Sequence, residues 1–86
     1  MSLYKIVVSK SAIKELSKLP AKENNRIIPA IKNLSVNPRP VGAKKLKGGS
    51  GAWRIRVGNY RVVYAIDDEV LIVDVRKVGH RKDIYD

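Results

Sequence analysis

The stretch Trp53-Arg54-Ile55-Arg56-Val57-Gly58-Asn59-Tyr60-Arg61-Val62-Val63-Tyr64 constrains this chain most, because two alternating runs flank Gly58-Asn59. β-Branched and aromatic residues repeating with period two, joined by a two-residue Gly-Asn connection, predict a tight β-hairpin. With Gly58 and Asn59 as the turn, Val57 pairs with Tyr60, Arg56 with Arg61, Ile55 with Val62, Arg54 with Val63 and Trp53 with Tyr64. One face is then apolar and aromatic. The other sets Arg56 across from Arg61, with Arg54 two residues along, although like charges directly opposite destabilise a strand pair. Such conflicts concentrate at functional sites, and no hairpin carboxylate offsets these arginines, so the preferred reading is a guanidinium cluster built to receive an external anion. A solvated arginine face is the plainer alternative.

Eighteen Lys plus Arg against eight Asp plus Glu give a formal charge of +10 over 86 residues. That balance points to a polyanionic partner, nucleic acid first, acidic protein second and anionic membrane third. The length suffices for one domain, 1–86, with a modest core. No apolar run approaches a membrane span and the N-terminus lacks a signal peptide's apolar core, so the expectation is a cytoplasmic protein without membrane association. With no cysteine, neither a disulfide framework nor a thiolate metal site is available.

Leu3 to Val8 reads as a first strand. Ser9 or Ser11 caps a helix whose inner face is Ala12, Ile13, Leu16 and Leu19, with Lys10, Lys14 and Lys18 on an ordinary solvated outer face. Leu19-Pro20 interrupts the pattern, and Ile27, Ile28, Ile31 and Leu34 rebuild it as a second helix from about Ala21 to Val36. Pro29 shares a face with Lys22, Arg26 and Asn33, so it should lie toward solvent; either the helix runs through it, bent around the core, or restarts there. Asn37-Pro38-Arg39-Pro40 ends the helix and a surface loop follows to Gly51, anchored by Leu46 while Lys44, Lys45 and Lys47 reach outward; Gly48-Gly49-Ser50-Gly51 should make it mobile. After the hairpin, a turn at Asp67-Asp68-Glu69 leads into a strand from Val70 through Val78, in a register that sets Arg61 opposite Asp74. The expected fold class is α+β: an N-terminal strand and a helical hairpin packed on a small, mainly antiparallel twisted sheet. Three sequential strands form that sheet, with the first strand inserted or added at an edge.

The sequence holds no carboxylate cluster with His at metal-binding spacing, no Gly-rich nucleotide loop and no readily completed Ser/His/Asp set. No metal and no cofactor are therefore expected. Arg54, Arg56, Arg61 and Arg81, together with Lys47, His80 and Tyr85, suit a phosphodiester passing through a more negative pentacovalent transition state. Metal-free cleavage fits RNA, whose own 2′-hydroxyl attacks the adjacent phosphorus. Tyr85 qualifies as base if neighbouring cations stabilise its phenolate, and is otherwise a packed terminal aromatic. His80 titrates more conveniently, yet strand alternation sets it on the face opposite Arg81.

Leu46-Lys47-Gly48, the Trp53–Tyr64 stretch and Val78-Gly79-His80-Arg81-Lys82-Asp83-Ile84-Tyr85 together resemble the RelE family of bacterial and archaeal toxins, a likeness covering nearly the whole chain. The resemblance implies a β-α-α-β-β-β domain that enters the ribosomal A site, cuts messenger RNA and is inhibited by a co-expressed antitoxin. Cognate antitoxin, ribosome and mRNA are then the partners, and no DNA contact of its own is expected. Arg61 and Arg81 match the arginines that stabilise or protonate the reacting phosphate groups, and Tyr85 matches the tyrosine proposed as base. Lys45, Lys47, Arg54, Arg56 and His80 would contact RNA; Arg54 and Arg56 stand where the best-studied members have lysines. Two rivals stand beside this reading. The ParE branch of the superfamily resembles it in fold but poisons DNA gyrase without cutting RNA. A noncatalytic basic RNA-binding or ribosome-associated module explains the charge equally well, but leaves the convergence of cations and a near-terminal tyrosine unexplained.

Overall fold

The hairpin forms with the expected register. β3 (Ala52–Val57) and β4 (Tyr60–Asp67) pair antiparallel, with Val57 opposite Tyr60, Arg56 opposite Arg61 and Trp53 opposite Tyr64. Gly58 adopts φ +60, a left-handed conformation that favours glycine in such a turn. The structure is a computed structural model that describes residues 3–47 and 51–80. Its other elements are β1 (Lys5–Val8), α1 (Lys10–Ser17), α2 (Ala21–Asn33), β2 (Lys44–Lys45) and β5 (Ile72–His80), and the five strands lie in the order β1-β5-β4-β3-β2. β1 occupies an edge and runs parallel to β5, while the remaining pairings are antiparallel.

Both helices pack on one face of this sheet. Ser9 caps α1, its Oγ accepting from the Ala12 amide at 3.1 Å and donating to the Arg76 carbonyl at 3.0 Å, which ties the helix start to β5. Ala12 is buried, and Leu16 and Leu19 pack against the core at i+4 and i+7. Ile13, expected on that stripe, is 55% exposed, because one residue further turns it about 100° around the helix. In α2 the buried stripe is Ile27, Ile31 and Leu34, and Ile28 points outward for the same reason. The helix runs through Pro29, which is exposed as expected. It ends at Asn33 instead of Val36, since Leu34, Ser35 and Val36 bond back three residues and tighten the last turn. These side chains meet Ile55, Val62, Tyr64, Val73, Val75 and Val78 in the core.

Two further expectations are corrected. Lys44 and Lys45 form a short edge strand opposite Arg54 and Trp53, continued by the Leu46 amide donating to the Ala52 carbonyl at 2.8 Å. The β4–β5 register places Arg61 opposite Gly79 and Asp74 opposite Ala65, so Asp74 does not face Arg61. The cause is local. Asp67 Oδ1 accepts from the amides of Glu69 and Val70 and extends the turn, leaving Val70 62% exposed and Leu71 at φ 57 before β5 begins. An irregularity at Val63/Tyr64 then shifts the register once more toward the hairpin tip. Asp74 instead meets Arg76 at 3.4 Å.

Candidate functional site

Strand alternation divides the sheet chemically. Ile55, Val62 and Tyr64 face the helices, so Arg56 and Arg61 point to the opposite side, which neither α1 nor α2 covers, as cross-strand neighbours. With Gly58 and Tyr60 they line a hollow of about 180 Å³ at the hairpin tip. Arg56 is exposed, whereas Arg61 is half-buried with its Nε shielded from solvent. A guanidinium is a planar fork whose geometry suits a phosphate, and the hairpin brings two of them to the lining of one hollow.

The other expected ligands are distributed more widely. Arg54 is only 5% exposed, and its Nη1 donates to the Gly42 carbonyl at 3.2 Å, so it fastens the loop before β2 instead of presenting its charge to an external anion. Sequence alternation placed it correctly on the arginine side but could not show the loop that covers it. Lys45 and Lys47 are exposed, as is Lys44. His80 lies opposite Tyr60, edge-on to its ring with centroids 5.5 Å apart, and with Glu15, Lys18 and Leu19 lines a separate open hollow of about 320 Å³. It is therefore on the helix side, away from Arg56 and Arg61. Glu15 accepts from the Val78 amide at 3.3 Å there, holding α1 against the end of β5. Arg81 and Tyr85 lie outside the described residues, as does the Gly48-Gly49-Ser50 run.

Two features were not legible beforehand. Arg26, read as part of the solvent face of α2, lays its guanidinium over Gly58, with Nη1 2.9 Å from where a β-carbon would stand. At the other end of the sheet, Arg39 forms a bidentate pair with Asp68, at 3.2 and 2.8 Å, and sits 5.3 Å from the Trp53 ring centroid. Tyr4 donates to the same Asp68 at 2.7 Å. Hydrogen bonds from Arg39, then Tyr4, hold the Asp68 carboxyl down to about 2, and the Asp68 bond pushes the Tyr4 phenol up. Nearby, the Tyr64 hydroxyl donates to the Pro38 carbonyl at 2.7 Å, and burial pushes this phenol up to about 12. Among the described residues no group of three His, Cys, Asp or Glu side chains is placed to hold a metal ion, and no helix is long and apolar enough to cross a membrane.

Comparison with known proteins bears on this geometry. A family model described as the ParE toxin of the type II toxin-antitoxin system parDE matches residues 6–85. The chain is 36% identical to toxin RelE3 of Methanocaldococcus jannaschii, over 95% of this chain and 96% of that protein. It is 35% identical to toxin RelG of Mycobacterium tuberculosis, over 95% of each. Among solved structures, the toxin-antitoxin complex RelBE2 of M. tuberculosis superposes with a TM-score of 0.83 at 31% identity, covering 94% of both chains. The archaeal RelE-RelB complex of Pyrococcus horikoshii gives a TM-score of 0.82 at 25% identity, covering 95% of this chain and 99% of that one.

Proposed function

Because this chain belongs to the RelE/ParE family of type II toxin-antitoxin toxins, we propose that it is a metal-independent endoribonuclease that cuts messenger RNA in the ribosomal A site. The observation that carries this reading is the opposition of Arg56 and Arg61 across the hairpin, around a hollow on the face that neither α1 nor α2 covers. Guanidinium groups beside such a hollow suit a phosphodiester whose charge grows in the transition state. In the reaction the RNA 2′-oxygen attacks the adjacent phosphorus, the bond to the 5′-oxygen breaks, and the products are a 2′,3′-cyclic phosphate and a 5′-hydroxyl. Arg61, with Arg81, stabilises the charge that grows on the phosphoryl oxygens, and the departing 5′-oxygen takes a proton from one of these guanidiniums, which is then restored from solvent. Tyr85 takes the 2′-proton in this scheme, and Arg56, Lys45 and Lys47 hold flanking phosphates.

The RelE relatives of M. tuberculosis and P. horikoshii were solved as complexes with antitoxins, and we assign this chain a cognate antitoxin of the same kind. Its +10 charge favours an acidic segment whose association slows as salt rises. Primer extension on a translated message, with and without the purified protein, tests the enzymatic reading. Discrete cuts that require the ribosome are expected; an uncut message under active translation overturns it. The ParE description of the matched family carries a second reading, a noncatalytic poison of DNA gyrase. Protein-dependent trapping of gyrase on cleaved DNA, with the message intact, would decide for it.

A further inference from the structure

We propose that Arg26 forms a second phosphate subsite on the α2 side of the hairpin tip, so that an RNA strand held at Arg56 and Arg61 continues over Gly58 onto α2. This rests on the ribonuclease reading and extends it to a residue outside the hairpin. The guanidinium is laid flat against the turn: a β-carbon on Gly58 would meet Nη1 at 2.9 Å, Cζ at 3.2 Å and Nη2 at 3.3 Å. Glycine is thus required here twice, by φ +60 and by the space that Arg26 occupies.

Covering one face of a guanidinium with backbone leaves the N–H groups at its rim directed outward, an arrangement that the planar head of arginine permits and a lysine ammonium does not. Arg26 is exposed, and among the described residues it has no ion pair. Lys22, one turn earlier on the same face, is exposed as well, while Glu23, the one acidic residue of α2, is half-buried. Gly58 also lines the hollow shared by Arg56 and Arg61. A polyanion leaving that hollow across the turn therefore meets Arg26 next, with Lys22 beyond it.

The test uses the intact protein and a fluorescein-labelled single-stranded octanucleotide with 2′-O-methyl sugars, which cannot be cleaved by 2′-attack. Anisotropy titrations over a range of salt give affinity and its salt slope. Arg26→Ala is expected to weaken binding roughly five- to tenfold and to flatten the slope of log K against log salt by about 0.7, one single-strand phosphate contact. Arg26→Lys should recover the slope but only part of the affinity, and Lys32→Ala, on another face of α2, should change neither. Unchanged affinity and slope in Arg26→Ala overturn the subsite. So does weaker binding with the full slope and a lowered melting temperature, which would mean that Arg26 only braces the turn. If wild-type protein shows no salt-dependent binding at all, the subsite falls, while the ribosome-dependent reading stands or falls separately by primer extension on a translated message.

Discussion

The two ends of the sheet treat arginine in opposite ways. At the end formed by the β4–β5 turn, Arg39 is matched: Asp68 accepts both arms of its fork and the Trp53 ring lies against it. At the hairpin tip, Arg56 and Arg61 stand in register across two strands and Arg26 adds a third guanidinium from α2. The same side chain serves structure in one place and, in the reading proposed above, chemistry in the other. The arrangement at Arg39 joins the start of β1, the loop after α2 and the β4–β5 turn, three segments that no shared element connects. The arrangement at the tip sets two like charges in register on neighbouring strands. Arg39 is held by the carboxylate of a neighbouring turn, whereas Arg56 and Arg61 face each other across the hairpin.

Exchanging the readouts of the two ends gives the sharpest test. Arg61→Ala should lower ribosome-dependent cleavage by on the order of a hundredfold or more with the fold intact, as expected when a transition-state contact is lost. Arg39→Ala should do the reverse, leaving cleavage within about threefold while lowering the melting temperature. Single-turnover cleavage of a translated message and thermal melts of both variants are the measurements. Near-normal cleavage by Arg61→Ala breaks the division between the two ends. Tyr85→Phe should likewise cost roughly a hundredfold if the phenol takes the 2′-proton, since the ring is retained and only the hydroxyl is lost. If Tyr85→Phe cleaves normally while His80→Ala does not, His80 is the base, despite its place on the helix side against Tyr60.

Stability should depend on the opposite end. Tyr64→Phe leaves the buried Pro38 carbonyl without its donor, at a cost of about 1–3 kcal/mol, or a fall of about 4–24 °C in melting temperature for a chain this size. Acid should act at the same end. Asp68 titrates near 2 in the folded chain against 3.8 ordinarily, so the stability it contributes is present above about pH 4 and is lost as pH falls through 2. Melting temperatures measured from pH 6 to pH 2 should therefore fall further for wild type than for Asp68→Asn. Parallel curves would show that the Arg39–Asp68–Tyr4 cluster adds no pH-dependent stability.

How far the sequence revealed these two ends follows from the range of the interactions. The hairpin was legible to the residue because turn, alternation and pairing all lie within twelve consecutive positions. The Ser9 cap and the outward placement of Pro29 are local in the same sense. β2 was missed because Lys44-Lys45 has no apolar alternation; it is a strand only because Arg54 and Trp53 lie beside it. The β4–β5 register was misplaced because the side chain of Asp67 prolongs the turn, a competition between side chain and backbone that composition does not reveal. Within the site, the side on which Arg54, Arg56 and Arg61 project could be read from parity. The burial of Arg54 beneath Gly42 and the reach of Arg26 to Gly58 depend on segments 12 and 32 residues away, and nothing in the sequence announces either contact.

The smallest predicted effect tests the premise of the comparison, that register opposition at the tip costs stability. Arg56→Glu replaces a like-charge cross-strand pair with an opposite-charge one at an exposed position. Cross-strand charge pairs are worth about 0.2–1 kcal/mol, so the melting temperature should rise by about 1–8 °C. The same carboxylate repels a phosphate from the hollow, so cleavage should fall as stability rises. The rise should shrink in high salt, because Arg56 is solvent-exposed and its interactions are screened. A lower melting temperature in Arg56→Glu would mean that Arg56 already stabilises the fold as Arg39 does, and the contrast between the two ends would then lie in their geometry and not in their charge.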